Sequence, residues 1–187
     1  MKEILWTIQH IDAYRALKEN GVLRANEQFL FCRDEFRFAY NWMSEQMRIR
    51  IGCPPDCIKY PVWAWYQWEG RRGRRDLRFS GYAKRGTPMV QLKIEADIQE
   101  ILLSDFDDWH QVLNNCYLAG SEQDFDIFYA SDHIDWQHEI EVSWEKIFDL
   151  KRCCPNWDTP LERKSIQAVL WEINLSRVRK AEFFIAK

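Results

Sequence analysis

Five arginines fall within eight positions of this 187-residue chain: Arg71, Arg72, Arg74, Arg75 and Arg78. A guanidinium is a planar fork of donors that meets a phosphate or a carboxylate through two parallel hydrogen bonds. Gly70 and Gly73 interleave with them, so Gly70 to Arg78 reads as the main loop of the chain. Such a loop suits phosphate or polynucleotide contact, and its composition equally suits plain solvation. Asp76 is placed to orient Arg75 or Arg78.

A second set of reactive groups lies in Ser104-Asp105-Phe106-Asp107-Asp108-Trp109-His110. Carboxylates in the first turn of a helix serve capping and the helix dipole. A histidine side chain free in water has a pKa of about 6.5, so His110 suits acid or base work. It stands three positions after Asp107, on one helix face. A metal-dependent hydrolase would use Asp105, Asp107 and His110. The six cysteines, Cys32, Cys53, Cys57, Cys116, Cys153 and Cys154, lack the paired Cys-x2-Cys spacing of a zinc site and read as unligated thiols. His133 and His138 lie five apart, which is not a helical ligand pair. No Gly-rich phosphate loop, Gly-x-Ser-x-Gly elbow or His-Glu-x-x-His motif is present.

The composition holds ten Trp, eleven Phe and seven Tyr, with 47% hydrophobic and 29% charged residues. That excludes disorder and predicts a dense aromatic core, with some rings free to line a groove that stacks a base or a nicotinamide. A net charge of −3 gives no global attraction to nucleic acid, so any such contact must be local. No apolar run reaches the roughly 18 residues of a membrane span, and the opening residues do not resemble a secretion signal. Reduced thiols and a cytoplasmic location are therefore expected.

The elements that must position these groups follow from periodicity. Ile4 to Ile8 is a β-prone run, and a helix from about Asp12 to Asn20 ends at Gly21. Val22-Leu23 leads to Phe29-Leu30-Phe31, a short strand. Asp34 is a cap for a long helix to about Ile51, with Phe36, Tyr40, Met43, Met47 and Ile51 as its apolar stripe, widened by Ala39, Trp42 and Gln46. Val62 to Trp68 reads as a central strand, and Val90, Leu92 and Ile94 alternate with polar neighbours as in a half-buried one. Ser104 and Asp107 predict a helix through about Leu118, and Ser121 and Asp124 predict another. A third covers Glu139 to Phe148, and Thr159-Pro160-Leu161-Glu162 opens a further turn. Gln167 to Ile173 and Ala181 to Ile185 are strands. The sum is α+β: one domain, residues 1–187, with a small aromatic-rich, mainly antiparallel sheet flanked by helices. Strands from opposite ends of the chain are expected to meet in that sheet.

Several blocks resemble one family. They are Thr7 through Leu23; Phe38-Ala39-Tyr40-Asn41-Trp42-Met43 with Gln46-Met47; Tyr60-Pro61-Val62-Trp63-Ala64-Trp65; and Asp76-Leu77-Arg78. Ile101 through Asn114, Ser143 through Phe148 and Ile166 through Trp171 complete them. Together they are similar to the bacterial and phage domain of unknown function 3841, and the resemblance implies a single intracellular domain. A second resemblance is architectural. A strand with Trp6-Thr7, a helix and Gly21-Val22-Leu23 look like the opening of ADP-ribosyltransferase-like domains, and Gln167 to Ile173 looks like their late strand. Where those domains carry His or Arg on the first strand this chain has Trp6 or Thr7, and Gln167 or Glu172 stands for their late Glu.

The leading expectation is a nucleotide-binding domain, with NAD as the candidate cofactor. Trp6, Thr7, Arg75, Asp76 and Arg78 would hold the cofactor, and Gln167 and His110 would be the catalytic groups. The competing expectation is a non-enzymatic phage or mobile-element protein that binds a host protein or nucleic acid through the Arg71 to Arg78 loop and exposed Trp rings. No membrane partner is expected.

Overall fold

The strand Lys2–His10 (β1) opens the chain and is followed at once by the helix Ile11–Asn20 (α1). The His10 ring accepts from the Asp12 N–H at 3.1 Å, and Gly21, at φ 74°, closes the helix with its N–H on the Leu17 carbonyl. That left-handed conformation is one glycine adopts at no steric cost. The remaining strands are Val22–Arg24 (β2), Val62–Gln67 (β3), Pro88–Asp97 (β4), Leu102–Asp105 (β5), Ile166–Leu170 (β6), Glu172–Asn174 (β7) and Val178–Ile185 (β8). The remaining helices are Arg37–Arg50 (α2), Phe106–Leu113 (α3), Glu122–Ala130 (α4) and Trp136–Ser143 (α5). This computed structural model describes residues 1–27, 34–55, 58–79, 81–153 and 158–187.

Six strands hydrogen-bond in the order β5-β6-β3-β1-β4-β8, and β2 pairs with β7 in a separate ribbon. β1 is antiparallel to β3 and to β4, and β4 is antiparallel to β8. The architecture is α+β with a mainly antiparallel sheet. Strands from the two ends of the chain do meet, because β1 and β8 flank β4 on either side. Contacts divide the chain into two compact units. The first is Met1–Tyr66, Arg72–Leu102 and Ala168–Lys187; the second is Gln67–Arg71 and Leu103–Gln167.

In the first unit Leu5 and Thr7 of β1 lie opposite Ile94 and Leu92 of β4, and all four are buried. Residues directly opposite in an antiparallel pair share a face, so this is the covered side of the sheet. Leu17 of α1 and Ala39, Met43 and Met47 of α2 are fully buried. The buried stripe of α2 therefore centres on Met43 and Met47, with Ala39 and Gln46, and leaves Tyr40 and Ile51 part-exposed. The helix starts at Arg37 rather than after Asp34, because the Asp34 carboxylate pairs with the Arg37 guanidinium at 3.3 Å and caps no N–H.

Other boundaries differ for local reasons. Asp105, not Ser104, caps α3. That helix stops at Leu113, where Asn114 leads into Asn115 at φ 52°, instead of running to Leu118. The expected helix Glu139 to Phe148 is α5 shifted toward the N-terminus, followed by a 3-10 segment Trp144–Phe148. The expected strand Gln167 to Ile173 is split at Trp171, whose indole N–H donates to the Gly52 carbonyl at 2.9 Å. Ser121 caps α4 as its spacing predicts. The strand expected at Phe29-Leu30-Phe31 lies outside the described residues.

Candidate functional site

The uncovered face of the sheet in the first unit is built by register. Trp6 lies opposite Trp65 on one side and Lys93 on the other, and Lys93 lies opposite Lys180. Trp65, Trp6, Lys93 and Lys180 therefore form one row across β3, β1, β4 and β8. Ile8, Gln91 and Glu182 form the next row on the same face. Period-2 alternation makes this arrangement: Val90, Leu92 and Ile94 take one face of β4, and Gln91 and Lys93 take the other.

The arginine segment crosses this face. Arg74 donates to Glu182 at 2.7 Å, and Lys180 reaches the same carboxylate at 3.3 Å. The Arg75 guanidinium is buried, lying 4.7 Å from the centre of the Trp65 ring with its Nε donating to the Tyr82 hydroxyl at 3.3 Å. Arg72 stacks 3.5 Å from the Tyr66 ring centre and pairs with Glu3 at 2.9 Å. Arg78 folds back onto Asp76 with paired bonds of 2.8 and 3.0 Å. Arg75 is thus buried against protein, while Arg72, Arg74 and Arg78 make these contacts from exposed positions.

Two hollows adjoin here, both bounded by Arg74 and Glu182. One, of about 240 Å³, is lined by Trp6, Arg74, Gln91, Lys93, Lys180 and Glu182. The other, of about 590 Å³, is lined by Arg74, Arg75, Asp76, Leu77, Arg78 and Glu182. Their lining carries five cations against two carboxylates. Lys93 has no salt-bridge partner among the described residues, and it faces another lysine directly across the pair. Like charges in that relation repel, and a bound anion relieves the repulsion. Arg74 and, less strongly, Lys180 hold the Glu182 carboxyl below its ordinary range, and the Arg78 guanidinium does the same to Asp76. Both carboxylates are ionised at neutral pH and orient the cations. Gln91 is 3% exposed, and its amide Nε2 has no hydrogen-bond partner among the described residues. A buried polar group in that state costs roughly 1–3 kcal/mol.

Of the residues singled out from the sequence, Trp6, Arg75, Asp76 and Arg78 line these hollows. Thr7 does not. It follows Trp6 in the strand and so takes the covered face, where its hydroxyl donates to the Trp63 carbonyl and accepts from the Gln9 amide, both at 2.7 Å. Lys93, Lys180, Gln91 and Glu182 are not among the site residues that the sequence suggests; Gln91 and Lys93 enter there only as polar positions of a half-buried strand. The polar half of the alternating strand at Val90 to Glu95 was the available signal for two of them.

Gln167 and His110 belong to the second unit, where a chain of buried polar groups runs from a tight turn to a helix N-terminus. Glu69 and Gly70, at φ 45° and 77°, make a two-residue hairpin turn, closed by Trp68 and Arg71 bonding each other's backbone. The Gly70 N–H and the Gln67 amide both donate to the Lys164 carbonyl at 3.0 Å. The Lys164 side chain, 2% exposed, donates to Asp105 Oδ2 at 2.5 Å. Asp105 Oδ1 accepts from the Asp107 and Asp108 N–H groups at 2.9 and 3.2 Å. Gln167 is buried and donates to the Ser104 hydroxyl at 3.2 Å. His110 is exposed, with Nδ1 on the Phe106 carbonyl at 2.9 Å. Asp107 accepts from the Thr159 hydroxyl at 2.7 Å. Asp105, Asp107 and His110 thus each serve a different local bond, and among the described residues no group of three or more His, Cys, Asp or Glu could hold a metal ion. Cys53, Cys116 and Cys153 carry free thiols; Cys32, Cys57 and Cys154 lie outside the described residues. No helix among the described residues is long and apolar enough to cross a membrane.

Asp108 is the most perturbed acid of that unit. Burial pushes its carboxyl up to about 6, against the pull of Arg152, which bonds it at 2.9 and 3.1 Å. The native state therefore binds a proton that the unfolded chain releases between about pH 4 and 6. The contribution of Asp108 to stability falls by roughly 3 kcal/mol as pH rises through that window. Asp108→Asn removes the titration. Chemical denaturation at a series of pH values is expected to show the wild type gaining on the variant as pH drops from 6 to 4; a constant difference would refute the assignment.

No curated protein matches the chain in sequence. A family model does: it covers residues 4–179, the span of the blocks from Thr7 to Trp171 quoted above. With a match over that much of its length, the chain belongs to the family described as domain of unknown function (DUF3841).

Proposed function

We propose that the uncovered sheet face of the first unit binds a nucleotide, with its phosphates on Arg74, Lys93 and Lys180 and its ring on the Trp6 indole. One observation carries the reading: an indole and three cations line a single hollow that holds one carboxylate. Guanidinium and ammonium groups meet phosphate by charge-assisted bonds, and an indole face stacks on a planar ring. The adjoining hollow, with Arg75 and Arg78, gives room for a second phosphate-linked half, as in NAD. The resemblance of the Trp6-to-Leu23 opening to ADP-ribosyltransferase-like domains supports a dinucleotide of that class. Gln167 and His110 line neither hollow, so the reading is one of binding.

Titration calorimetry with NAD, ADP and ATP tests it. Binding is expected to weaken as salt is raised, and Lys93→Glu is expected to weaken it at least tenfold, about 1.4 kcal/mol. Trp6→Ala is expected to reduce binding of the nucleotides more than that of inorganic pyrophosphate. No heat from any of the three at millimolar concentration would overturn the proposal.

A further inference from the structure

The second unit carries an exposed aromatic face that the nucleotide reading does not use. Phe125 and Tyr129 on α4 and Trp136 on α5 are 39%, 42% and 40% exposed. They are not scattered. The Phe125 and Tyr129 ring centres are 4.5 Å apart, and Tyr129 meets Trp136 edge-on at 5.6 Å. Phe128 lies beneath them, buried, 4.5 Å from Trp136 and stacked at 3.8 Å on Tyr117. Single exposed rings are ordinary, whereas a contiguous patch marks a contact surface.

The patch is held in place. The His133 ring bridges the two helices, with Nδ1 2.6 Å from the Glu139 carboxylate and Nε2 2.7 Å from the Phe128 carbonyl. Its charge is one-sided as well. Residues 121–145 contain eight Asp and Glu and no Lys or Arg, and the next residue, Lys146, pairs with Asp124 at 3.7 Å, leaving Glu122 and Asp126 exposed. Helical spacing puts Glu122, Phe125, Asp126 and Tyr129 on one side of α4, so carboxylates flank the rings. Such a surface repels nucleic acid and anionic lipid alike. It matches cations that can lie over a ring while pairing with a neighbouring carboxylate.

We infer that this side of the α4 and α5 pair docks a basic, amphipathic segment of another polypeptide, with Arg or Lys over Trp136 and Tyr129 and apolar side chains against Phe125. Arg and Trp are the residues on which such interfaces concentrate their energy.

Fluorescence anisotropy with a labelled peptide of alternating arginine and leucine tests this on the full chain, with a glutamate–leucine peptide as the control. The arginine peptide is expected to bind and to weaken with salt; the control is expected not to bind. Trp136→Ala and the charge reversal Glu122→Lys with Asp126→Lys are each expected to cost at least tenfold in affinity. Glu122 and Asp126 are exposed, so the reversal keeps the test valid if Trp136→Ala disturbs packing. Equal binding of the reversed variant and wild type, equal binding of the two peptides, or no binding overturns the inference. Sedimentation showing that a second copy of the chain occupies the face, uncompeted by peptide, overturns it too.

Discussion

Replacing Gly70 with alanine is expected to remove several kcal/mol of stability from this protein. The added Cβ would stand 1.8 Å from the Glu162 carbonyl oxygen and 2.9 Å from its carbon, both backbone atoms that no rotamer change can move. The residue also sits at φ 77°, which an L side chain adopts only under strain. The turn is fastened to the same segment, through the Gly70 N–H to the Lys164 carbonyl and the Glu69 N–H to the Ser165 hydroxyl, both at 3.0 Å. Relieving the clash means giving up those bonds. A loss above about 4 kcal/mol is expected in urea denaturation, the range of the most damaging single substitutions. That corresponds to a fall in Tm of roughly 10 °C or more for a chain of this size. Gly73→Ala is the control, since nothing stands within 4 Å of its added Cβ. Equal stability of the two variants would show that the turn does not press on Glu162.

The second large effect concerns Lys164. Its ammonium and the Asp105 carboxylate are both almost wholly buried, and they are 2.5 Å apart. Lys164→Met leaves an ionised carboxylate in a dry site, and breaking one partner of such a pair typically costs 3–5 kcal/mol. Adding Asp105→Asn is expected to recover most of the loss. An asparagine oxygen still accepts from the Asp107 and Asp108 N–H groups that Asp105 now caps, and no charge is left behind. Denaturation of the two single variants and the double variant measures the coupling directly. A Lys164→Met variant within 1 kcal/mol of wild type would mean that the pair is open to water.

Both positions show how differently fold and site were legible. The alternation of Val90, Leu92 and Ile94 with Gln91 and Lys93, the Gly21 stop of α1 and the Ser121 cap of α4 are local signals. Each concerns residues a few positions apart, where backbone sterics and capping act. They led to the α+β class and to most elements. Gly70 and Lys164 carry no such signal. A glycine in an arginine-rich stretch looks like flexibility until Glu162 is brought against it, and a lysine among polar neighbours looks exposed until Asp105 closes over it.

The sequence by itself determined which segments alternate, where helices stop, and that guanidinium groups and indoles are numerous. Tertiary structure decided which of them share a surface. Trp6 and Thr7 are neighbours in the chain and stand on opposite faces of the sheet, because a strand turns each successive side chain over. Trp6, Lys93 and Lys180 are far apart in the chain and stand in one row, because register between strands from both ends sets them there. Arg74 lies in no strand and still reaches Glu182 of β8 across 108 positions. Spacing along a chain reports the period of one element; the pairing of elements depends on loop closure and on burial summed over the whole core, and no short window of residues contains it.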